Sequence, residues 1–72
     1  MKRPELNEIP IPEDMSREFP QCMGEAQRFG PPCVIREGQW DEDIKQNYEN
    51  GWAILELDEN ERLIHLYRTP YS

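Results

Sequence analysis

The sequence predicts a single small α+β domain, and three observations carry that expectation. Apolar runs flank Asp58-Glu59-Asn60-Glu61, which reads as a β-hairpin over residues 52–68. Ahead of it, Trp40, Ile44 and Tyr48 recur every fourth residue, as one face of a helix does. The chain has 72 residues, which allows one domain.

Taken in order, residues 1–12 hold three prolines between isolated apolar side chains. Proline fixes φ and removes a donor, so this stretch is expected to be extended, with Leu6, Ile9 and Ile11 available to dock on the domain. The domain itself is expected over 13–72. Met15, Phe19, Cys22, Ala26 and Phe29 share one helical face, but Pro20 interrupts it. Proline is harmless at a first helical position, which places a short helix near 20–29. Gly30, Pro31 and Pro32 end it, and Gly24 weakens it. Residues 33–37, CVIRE, form a short β-branched run and read as a strand.

Residues 40–50 make the clearest helix. Asp41, Glu42 and Asp43 open it, where the positive end of the helix dipole favours carboxylates, and Gly51 closes it. The hairpin is expected to turn over 58–60 with Asn60 at positive φ. That register sets Glu56 against Arg62 and Leu55 against Leu63. It also gathers Leu55, Leu57, Leu63 and Tyr67 on one face, with Trp52, Ile54, Ile64 and Leu66 on the other. The result is a small antiparallel sheet: the hairpin plus strand 33–37, packed on helix 40–50.

A hairpin apolar on both faces requires cover on both. Helix 40–50 covers one. The other is covered by the N-terminal half, or by a partner docking on Leu55, Leu57, Leu63 and Tyr67. The net charge of −7, from 15 acidic and 8 basic residues, disfavours direct contact with nucleic acid or an anionic membrane. It favours a basic protein surface. Asp41, Glu42 and Asp43, with Asp58, Glu59 and Glu61, form one acidic rim if the helix start and the hairpin tip lie together. No apolar stretch approaches membrane-spanning length, and residues 1–12 lack the apolar core of a secretory signal, so a cytoplasmic location is expected.

Cys22, Cys33 and His65 are the best available metal or thiol set, yet their spacing matches no zinc motif. No serine, histidine and carboxylate pattern indicates nucleophilic catalysis, and no cofactor motif is present. The leading expectation is a non-catalytic protein-binding module: an accessory subunit, adaptor or inhibitor of the kind found among bacterial and phage accessory proteins. Its partner is a basic protein or a second copy. Two alternatives stand beside it: an acidic nucleic-acid mimic that blocks a basic groove, and a small metal or thiol protein using Cys22, Cys33 and His65.

Overall fold

Asp41 starts the principal helix by the expected chemistry. Its backbone is extended and its carboxylate accepts from the Ile44 N–H at 2.9 Å, satisfying a donor that the first turn leaves open. In the computed structural model, which describes residues 6–70, that helix is one of two. The order is β1 (Glu8–Ile9), α1 (Gln21–Ala26), a 3-10 turn (Gln27–Phe29), β2 (Pro32–Arg36), α2 (Glu42–Glu49), β3 (Ala53–Leu57) and β4 (Leu63–Tyr67). Residues 1–5 of the expected N-terminal segment and residues 71–72 of the tail lie outside the described residues.

The strands make one four-stranded sheet in the order β1-β4-β3-β2. The α+β class and the hairpin are as expected, but the sheet is mixed. Strand β2 runs parallel to β3, from Pro32 opposite Ala53 to Arg36 opposite Leu57. The reason is the connection. A helix between two neighbouring strands returns the chain to the end where the first strand began, and the strands then run the same way. The expected docking of the N-terminal segment is also realised. β1 pairs antiparallel with β4, Glu8 opposite Tyr67 and Ile9 opposite Leu66.

The hairpin register differs from the expected one. Leu57 faces Leu63, but Glu56 faces His65, so Ile64 is an extra residue in β4. Such a bulge flips the alternation of every later side chain. Leu66 therefore joins Leu55, Leu57 and Leu63, while Tyr67 joins Ile54 on the opposite face. At the turn, Glu61 rather than Asn60 takes positive φ, at 61°. The Asp58 carboxylate explains the turn: it accepts from the N–H groups of Asn60 (2.8 Å) and Arg62 (3.0 Å), and the Asp58 N–H donates to the Arg62 carbonyl (2.9 Å), so the three-residue loop is 59–61, one residue later than expected.

Both faces of the sheet are covered by the chain itself. One core gathers Met15, Cys22 and Ala26 over Ala53, Leu55, Leu57, Leu63 and Leu66, with Ile9, Ile11, Phe29 and Val34 at its margin. The other sets Trp40 and Tyr48 over Ile35, Ile54 and Tyr67, with Leu6, Cys33, Ile44 and Trp52 around them. Trp40 meets Tyr67 edge-on, with ring centres 5.1 Å apart. Among the described residues no helix is long and apolar enough to cross a membrane.

Candidate functional site

The apolar residues proposed as a docking face are not available for docking. Leu55 is fully buried, and Leu57, Leu63 and Tyr67 expose 3%, 1% and 1%. Met15, α1 and the 3-10 turn close over the three leucines, and α2 with Trp40 closes over Tyr67. Of the two covers expected for the second face, the N-terminal half is the one present, and it includes residues 6–19 through Ile9, Ile11 and Met15. Their apolar side chains are sparse, but they lie where the helices leave gaps.

The acidic residues are placed differently. Because β2 and β3 are parallel, their C-terminal ends lie side by side, with the Glu37 N–H donating to the Leu57 carbonyl at 2.8 Å. Beyond those ends lie the Glu37-Gly38 turn and the Asp58–Asn60 tip. Together with Arg36 they line an open cleft of about 830 Å³. Asp41 follows Gly38 by three residues, a span of at most about 11 Å. Helix start and hairpin tip thus share one end of the sheet. Crossover topologies generally leave the carboxyl ends of parallel strands open in this way.

The charges at this end are unequal. Arg36 is committed: its guanidinium donates to the Glu61 carboxylate at 2.8 Å and to the Asp58 carbonyl at 3.2 Å. Asp41 and Asp58 are engaged as cap and turn acceptors. Glu37, Glu42, Asp43 and Glu59 are exposed, and their carboxylates make no hydrogen bond or ion pair among the described residues. Four free carboxylates, on the turn after β2, the first turn of α2 and the hairpin tip, are thus carried at this end of the sheet.

The side chain that anchors the 38–40 segment to the sheet is one the sequence pattern did not single out. Glu56 of β3, 3% exposed, lies beneath the Gly38–Trp40 segment. One carboxylate oxygen accepts from the Gly38 N–H (3.1 Å) and the Trp40 indole N–H (3.0 Å), and the other accepts from the Tyr67 hydroxyl (3.0 Å). A buried carboxylate is tolerated only when donors surround it, and these three do so. The signal was present as an acid inside the run AILEL, flanked by leucines. Expecting it opposite Arg62 followed from placing the turn at 58–60; the observed turn sets Leu57 opposite Leu63 and so leaves Arg62 beyond Glu56. Arg62 instead approaches Glu18 at 3.4 Å.

The thiol and metal alternative is not assembled. Cys22 packs on one face of the sheet and Cys33 on the other, so the sheet separates them. Burial pushes the Cys22 thiol up from its ordinary value. The Cys33 sulfur accepts from the Asn47 side chain at 3.6 Å. His65 turns its Nδ1 to Glu8 at 2.7 Å across the β1–β4 pair. Among the described residues no group of three or more His, Cys, Asp or Glu side chains is placed to hold a metal ion. Elsewhere on the surface, Asp14 and Arg28 form a two-pronged pair at 2.8 and 2.9 Å, which holds the Asp14 carboxyl below its ordinary value.

Set against protein families, curated proteins and solved structures, the chain matches none of them.

Proposed function

We propose that the chain is a non-catalytic protein-binding module that docks by its acidic end onto a basic protein surface. The observation that supports this is the set of four exposed, unpaired carboxylates, Glu37, Glu42, Asp43 and Glu59, carried by the turn after β2, the first turn of α2 and the hairpin tip at one end of the sheet. Carboxylates fixed on a rigid frame lose little freedom on meeting Lys or Arg, which is what makes charge complementarity selective. A helix start explains Glu42 and Asp43 through the dipole, but gives no reason for Glu37 and Glu59 to lie at the same end. The bound partner would be an accessory target of this chain: a subunit it completes, or an enzyme whose basic face it covers.

The test is a comparison of the wild type with the variant E37Q/E42Q/D43N/E59Q, each used to capture partners from extract, with E25Q/E49Q as a control. Four exposed ion pairs at about 0.5 kcal/mol each come to ~2 kcal/mol, roughly thirtyfold in Kd. Wild type and control should retain a basic partner, the quadruple variant should lose it, and raising salt toward about 0.5 M should release it. A partner held equally by the quadruple variant refutes acidic docking. Displacement of that partner by added DNA would assign the same surface to mimicry of nucleic acid.

A further inference from the structure

We infer that the chain pairs with a second copy of itself along the free edge of β2, forming a two-fold antiparallel junction centred on Val34. This pairing is independent of the acidic docking and uses a different edge of the molecule.

β2 is the outer strand of the sheet. The Ala53 N–H donates to the Pro31 carbonyl, and the Glu37 N–H donates to the Leu57 carbonyl. By strand alternation, residues 31, 33, 35 and 37 direct their backbone groups to β3, while 32, 34 and 36 direct theirs outward. The outward groups form an unusual set. Pro32 has a carbonyl and no N–H. Val34 has both groups, and neither has a partner among the described residues. At Arg36 the carbonyl already accepts from the Gln39 N–H at 3.0 Å, and the N–H donates to Gln39 Oε1 at 3.2 Å. A proline at one end and a glutamine folded back at the other guard this edge against arbitrary strands.

They leave one register open. With Val34 opposite Val34 of the second copy, each Val34 N–H meets the other's carbonyl. Two residues away, Pro32 stands opposite Arg36. The bond that Pro32 cannot donate is the one the occupied Arg36 carbonyl cannot accept, so the missing donor and the filled acceptor coincide. The remaining pair, Arg36 N–H to Pro32 carbonyl, forms once the exposed Gln39 side chain swings away. The junction has four backbone hydrogen bonds and the self-complementarity that a two-fold interface requires.

Charge agrees with this occupant. From 26 to 36 the sequence, AQRFGPPCVIR, has no acid in a chain of net charge −7. Its two cations are already neutralised within the chain, Arg28 by Asp14 and Arg36 by Glu61. Two copies therefore meet at an edge whose own charges are balanced, and the antiparallel arrangement sets the two free Glu37 carboxylates at opposite ends of the junction. The other sheet edge, β1, is only two residues long.

An edge junction this small gives a weak dimer, with Kd on the order of 0.1 mM. Sedimentation equilibrium of the full chain between about 10 µM and 1 mM would measure it. Hydrogen exchange at the Val34 amide should slow as concentration rises, while that of Ile35, bonded within the sheet, should not change. V34P removes a donor that the monomer does not use and should raise Kd at least about tenfold; because Val34 also packs at the margin of one core, its urea midpoint should fall, and association is compared at concentrations where the variant is folded. Q39A frees the Arg36 N–H and should lower Kd, by roughly threefold. Added salt should strengthen the dimer by screening like charges, opposite in sign to its effect on rim docking. A single monomeric species throughout, Val34 exchange independent of concentration, or a V34P protein that associates like wild type would each overturn the inference. Should V34P fail to fold, the wild-type exchange measurement decides alone.

Discussion

Removing the Glu56 side chain should be one of the most damaging single changes available in this chain. In Glu56→Ala the indole N–H of Trp40 and the hydroxyl of Tyr67 both lose an acceptor inside a core. The Gly38 N–H also loses one, but Gly38 is exposed and water replaces the carboxylate there. Each stranded buried donor costs about 1–3 kcal/mol, and the two share one site, so a loss of about 3–4 kcal/mol is expected. A 72-residue domain has roughly 4–11 kcal/mol in all, so the variant should be barely stable. Glu56→Gln is the informative control. Its carbonyl oxygen can accept from both Trp40 and Gly38, and its amide can donate to the Tyr67 oxygen. Only charge assistance is lost, about 1 kcal/mol. Urea unfolding followed by tryptophan fluorescence reads both. With a slope near 1 kcal/mol per molar, the alanine variant should shift the midpoint by about 3 M and the glutamine by about 1 M. A double-mutant cycle with Trp40→Phe should show a coupling of about 1–2 kcal/mol. If Glu56→Ala cost less than about 1 kcal/mol, or if the glutamine were as harmful as the alanine, the carboxylate would not be what ties the 38–40 segment to the sheet.

The two cysteines and two of the glycines yield further expectations. A disulfide reagent at neutral pH should modify half-buried Cys33 in the native protein, while fully buried Cys22, its thiol pushed up, should react at least about a hundredfold more slowly. Equal rates would show that the core around α1 opens freely. At Gly30 φ is +128°, and a Cβ would sit 2.7 Å from the Gly51 carbonyl oxygen. Gly30→Ala should therefore destabilise by about 2 kcal/mol or more in the same urea assay. Gly24 lies inside α1 with nothing near a new Cβ, so Gly24→Ala should stabilise by about 0.5–1 kcal/mol. Effects of the same sign at both glycines would contradict the backbone assignment.

The acidic rim and the buried tie beneath it were legible to different degrees. Asp41, Glu42 and Asp43 were readable as a helix opening, and Asp58 to Glu61 as a turn, because both follow from short-range chemistry. That the two lie together depends on β2 and β3 being parallel. The order strand, helix, strand in residues 32–57 already implied this, and an antiparallel reading overlooked the crossover. Glu56 was harder to see. Its face, shared with Trp52 and Ile54, follows from strand alternation, but its donors do not: Trp40 arrives from the loop before α2, and Tyr67 reaches that face only because the extra residue Ile64 flips the end of β4.

The order and type of the elements were set locally. A cap, a four-residue apolar stripe, a proline pair and an Asx-type turn each act within a few residues, and the chain carries all of them. The partition of side chains between the two cores was not set locally. Leu66 and Tyr67 exchanged faces through a bulge, and Leu55, Leu57 and Leu63 were hidden by Met15, α1 and the N-terminal strand, which come from far away in the chain. Burial is a property of what arrives from elsewhere. Sequence periodicity says which side chains share a face, and only the folded chain says whether that face meets protein or water.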